Sequence, residues 1–100
     1  MASRRELKRD IKYLVSDVIE ECYGFIAWHP KADHVEASKI INEAVELHDE
    51  MIDRVNHPDG KDNPKIVKAY FTKIRKDLFS TTASIFAKIE KMFNEADKAE

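Results

Sequence analysis

Residues 64–96 read PKIVKAYFTKIRKDLFSTTASIFAKIEKMFNEA, and this stretch decides the fold. Its apolar side chains recur at three and four residues: Val67, Phe71, Ile74, Leu78, Ile85, Ile89, Met92 and Ala96. That spacing is the signature of one buried helix face. Phe79, Phe86 and Phe93 stand seven residues apart beside the stripe and widen it. Seven residues is close to two helical turns, so the three rings share one side. A helix greasy over so wide an arc needs two neighbours, from its own chain or another.

Two further amphipathic helices precede it. The first runs from about Arg4 to Ala27, with Leu7, Ile11, Leu14, Val15, Val18, Ile19, Cys22, Phe25 and Ile26 on its apolar side. Ser3 and Glu6 have the spacing of a capping box. Trp28-His29-Pro30 ends this helix, because a residue before proline avoids helical geometry. The second runs from Asp33 to Val55, with a stripe of Ala37, Ile40, Ile41, Ala44, Leu47, His48, Met51, Ile52 and Val55. Asp33 and Glu36 repeat the capping-box relation. Asn56-His57-Pro58-Asp59-Gly60 is the strongest turn signal in the chain. The third helix starts at Asn63, a cap with Pro64 in the first turn, and continues to about Ala96. Ser80-Thr81-Thr82 is its soft spot, where three residues of low helix propensity allow a kink or a split.

One hundred residues with 2 glycines and 3 prolines imply a single domain of long elements. Short connections make consecutive helices antiparallel, so the expected fold is an all-α, up-down-up three-helix bundle. The first two helices span roughly 35 Å each and the third roughly 50 Å. The third is therefore expected to overhang at its C-terminal end, leaving Met92, Phe93 and Ala96 uncovered.

The chemistry is less legible. Hydrophobic residues are 43% and charged residues 36%, and the net charge is −2, so no global field draws the chain to nucleic acid or membrane. The lone Cys22 rules out an internal disulfide and reads as a buried thiol. No hydrophobic leader and no 18-residue apolar run is seen, which suggests a cytoplasmic protein with no membrane association. His29 and His57 each precede a proline, but the two corners lie roughly 30 Å apart along the second helix. His29, Asp33 and His34 would make at most a weak surface metal site. His48 falls in an apolar stripe and reads as a hydrogen-bonded imidazole at the core edge. The paired Glu-x-x-His motifs of a di-iron bundle are absent, as are phosphate loops, nucleophile elbows and zinc-protease motifs. The chain is accordingly read as non-enzymatic, without cofactor or metal.

Charge is sorted by element. Residues 1–12 carry five basic and two acidic side chains, the second helix two and seven, and residues 64–88 six and one. An acidic helix between two basic elements can satisfy itself within the bundle. Alternatively Arg4, Arg5, Lys8, Arg9 and Lys12, with Lys65, Lys68, Lys73, Arg75 and Lys76, contact phosphates, although no base-reading motif accompanies them. The outer side of the first helix groups Tyr13, Asp17, Glu20, Gly24 and Ala27. Gly24 costs about 1 kcal/mol against alanine inside a helix, and it would let another backbone approach.

Arg4-Arg5-Glu6-Leu7-Lys8-Arg9-Asp10-Ile11 and Arg54-Val55-Asn56-His57-Pro58 resemble a family of small helical proteins of unknown function from Bacteroides-type bacteria. The resemblance implies a helical fold and a bacterial cytoplasm, and supplies no activity or site residue. The leading expectation is a protein-interaction module that forms homodimers through Phe79, Phe86, Met92 and Phe93, with Tyr13 and Gly24 as a second face, or binds another protein. The alternative is a nucleic-acid-associated protein using the basic set.

Overall fold

A computed structural model of the chain describes residues 4–58 and 63–99. It contains three helices, α1 (Arg4–Trp28), α2 (Val35–Asn56) and α3 (Pro64–Ala99). They form the expected bundle, 56 Å long and 16–17 Å across. No strand occurs among the described residues.

Local chemistry explains the boundaries. α2 begins two residues later than its capping pattern suggests. Asp33 caps from just outside, its carboxylate accepting from the Val35 amide at 2.9 Å, and His34 occupies the cap position. α1 runs one residue further than expected, and the His29 amide still donates to the Phe25 carbonyl at 2.8 Å. Asn63 caps α3 as its sequence implies, accepting from Lys65 and Ile66. The Ser3 cap and the Asp59-Gly60 part of the turn lie outside the described residues.

Leu7, Ile11, Val15, Val18, Cys22 and Phe25 of α1 meet Ala37, Ile40, Ala44, Leu47, Met51 and Val55 of α2. Ile74, Leu78, Ile85, Ile89 and Met92 of α3 close the core. α3 is one unbroken helix, so the split allowed at residues 80–82 does not occur. Thr82 is buried at 3% exposure, and its hydroxyl donates to the Leu78 carbonyl one turn earlier at 2.8 Å. The buried hydroxyl is thus satisfied within its own helix and leaves no unpaired polar group in the core.

The overhang lies at the opposite end of α3 from the one expected. Arg54 binds Asp77 at 2.9 Å and Lys88 binds Glu43 at 3.1 Å. Eleven residues back along α2 therefore match eleven forward along α3. Continued, this antiparallel register sets Asn56 level with Arg75, and α3 from Pro64 to Ile74 runs on past the end of α2 by roughly 15 Å. At the other end, Met92 is only 8% exposed, and Phe93 and Ala96 pack on the core. The α1–α2 corner folds over them. The Phe93 ring meets Phe25 edge-on at 5.1 Å, and His29 Nε2 lies 3.1 Å from Asp97 Oδ1.

Candidate functional site

The surroundings of α3 identify its free side. Towards α1 it presents Arg75, 3.3 Å from Asp10, and then Phe93 and Asp97 on Phe25 and His29. Towards α2 it presents Tyr70, Asp77 and Lys88. Arg54 is one of two ties on that side among the described residues. Burial alone would lower its pKa, but hydrogen bonds with Asp77 and Tyr70 outweigh this and hold it above the ordinary value. The third side of α3 meets nothing among the described residues. Lys76, Ser80, Ala83, Ala87 and Glu90 are all exposed there, at spacings of four and three residues. Phe79 stands on the border of that face with 49% of its surface open to water. Phe86, one heptad later, is half-buried against the core.

The expected interface residues thus divide. Phe79 and Phe86 remain together at the surface of α3. Met92 and Phe93 turn inward, because the corner covers them. Tyr13 is 61% exposed and Gly24 is exposed, both on α1. A Cβ added at Gly24 would meet nothing within 4 Å, so within the monomer that glycine answers no steric demand.

The cations gather more than their order in the sequence suggests. α1 and α3 are parallel, so both basic segments start at the same end of the bundle. Arg4, Arg5, Arg9, Lys12, Lys65, Lys68, Lys73 and Lys76 are exposed there and Lys8 is half-buried. None of them has an ion-pair partner among the described residues. Arg75 is engaged by Asp10. Among the described residues the far half holds more of the carboxylates, so charge is sorted by end as well as by element.

The histidines make local contacts. His29 is 1% exposed and lies between Phe25 and Phe93. His34 Nε2 donates to the His29 carbonyl at 2.8 Å. His48 sits at the core edge, 3.1 Å from Asp49. His48 is thus where its stripe position places it, whereas His29, read from the sequence as part of a surface corner, is the buried one. The missed signal was its position four residues after Phe25, which continues the α1 stripe. No group of three or more metal-binding side chains converges among the described residues. Cys22 is fully buried, and burial together with Glu21 pushes its thiol up to about 11. At neutral pH it is a packing group, not a nucleophile.

An open groove of about 690 Å³ lies at the α1–α2 corner, with Phe25, Val35, Met92 and Ala96 among its lining. Lys88 and Lys91 face it together with Asp33, Glu36 and Glu95, so its rim carries both signs and selects neither. No helix among the described residues is long and apolar enough to cross a membrane. Comparison of the chain with protein-family models, curated proteins and solved structures gives no match.

Proposed function

We propose that the protein is a non-enzymatic helical interaction module of the cytoplasm that self-associates through α3. Phe79 carries this reading. It is a large aromatic side chain left half in water midway along the helix, beside Phe86 and a face without a partner. Covering the exposed half of such a ring is worth roughly 0.8–1.5 kcal/mol, a gain that a second protein surface can supply. Membership of the Bacteroides-type helical family belongs to the same proposal and rests on the two stretches quoted above. Light scattering tests the reading. The protein at tens of micromolar is expected to have the mass of two chains, and Phe79→Asp to give a folded single chain. A monomeric parent protein would overturn it.

A second reading is favoured by the meeting of two basic segments at one end. There Arg4, Arg5, Lys8, Arg9 and Lys12, with Lys65 and Lys68, would contact the phosphates of a nucleic acid. Such binding is expected to weaken steeply with salt and with Arg4/Arg5→Ala. Absence of retention on DNA at low salt would remove it.

A further inference from the structure

We infer that the occupant of the free α3 face is a second copy of this chain, set antiparallel, with the two-fold axis passing beside Ala83. This rests on the self-association proposed above and adds its geometry. The central observation is charge. Lys76 lies seven residues before Ala83 and Glu90 seven after it, both exposed and without ion-pair partners among the described residues. A two-fold axis at Ala83 sets Lys76 of each copy level with Glu90 of the other, so two opposite-charge pairs form. A parallel arrangement would set like against like at both positions. The same axis sets each large ring against a small residue. Phe79 comes level with Ala87 of the other copy and Phe86 with Ser80. Ala83 meets itself, and its small side chain permits the close helix approach of 8–10 Å. The spacing of four and three along this face is the heptad that keeps two helices in contact over several turns.

The wider charge distribution agrees. Each bundle is basic where α3 begins and acidic where it ends, so antiparallel copies place opposite ends together, and Lys68 of one comes level with the Asp97 region of the other. Arg75 and Lys91 would be the like-charged exception. Arg75, however, is turned to Asp10 and Lys91 to Glu95, away from the seam. Closed two-fold symmetry also ends the assembly at two, because each copy's face is used once.

The test combines charge reversal with cross-linking. In sedimentation equilibrium, Lys76→Glu and Glu90→Lys are each expected to weaken the dimer by about tenfold, since each turns two attractive pairs into repulsive ones. The double variant is expected to return to within about threefold of the parent. In a Cys22→Ala background, Ala83→Cys is expected to form an inter-chain disulfide under mild oxidation, because only an axis at this position brings residue 83 to its own copy within bonding reach. Lys73→Cys, ten residues from the axis, is expected not to do so. A dimer that Phe79→Asp disrupts, but that shows neither charge rescue nor the residue 83 cross-link, overturns this arrangement while leaving self-association through α3 in place. A parent protein that stays monomeric overturns both.

Discussion

The two ends of α3 are built from similar residues and behave differently. Near its C-terminus Met92, Phe93 and Ala96 are packed under the α1–α2 corner. Near its N-terminus Ile66 is 48% exposed, and Val67, Tyr70 and Phe71 are only half-covered. Length alone does not distinguish the ends, because any helix longer than its partners must project somewhere. Register does. The pairs Arg54–Asp77, Glu43–Lys88 and Asp10–Arg75 mark a register in which the last turns of α3 are flush with the corner and its first turns stand clear.

The contrast can be broken most directly at the closed end. Phe25 is 2% exposed and touches both Phe93 and His29. Phe25→Ala is expected to cost about 3–5 kcal/mol in urea unfolding, whereas Ile66→Ala at the projecting end is expected to cost under about 1 kcal/mol. Equal costs at the two sites would show that the ends are not different in kind.

Cys22 sharpens the same contrast through pH. Its folded pKa of about 11 lies above the ordinary 9.0, so its share of stability is whole below pH 9 and is lost as pH rises toward 11. The loss is expected to be about 2–3 kcal/mol. Unfolding measured at pH 8.5 and pH 11 should therefore show a steeper decline in the parent protein than in Cys22→Ala. Parallel declines would place the thiol in a wetter site than its burial implies. A similarly small effect is expected at the register pairs. Arg54→Ala removes a partly exposed tie and is expected to cost about 0.5–1 kcal/mol.

Much of the architecture was legible before any coordinates. Apolar spacings of three and four located three helices, and Asn63 with Pro64 marked the start of the last. These are local signals, written within one turn of the residues they govern. What was missed depends on pairs distant in the chain. Nothing near Phe93 says that Phe25 will meet it, and nothing near Lys65 says that Arg5 will share its end of the bundle. Thr82 misled for a related reason. Its low propensity is a property of the residue, but its bond to the Leu78 carbonyl belongs to the helix it completes. Of the candidate face, the heptad phenylalanines were visible. The mirror relation of Lys76 and Glu90 about Ala83 acquires meaning only once that side of α3 is known to be free.

The projecting start of α3 has a consequence for how the molecule breathes. No residue from Pro64 to Lys73 is buried, whereas from Ile74 onward a buried side chain recurs every three or four positions. One continuous helix therefore spans two regimes of local opening. Backbone amides in its first three turns should exchange with deuterium through fraying that leaves the rest intact. Those around Leu78, Ile85 and Ile89 should exchange only when the whole bundle opens. α3 would then unwind from its beginning like a rope held fast at the far end.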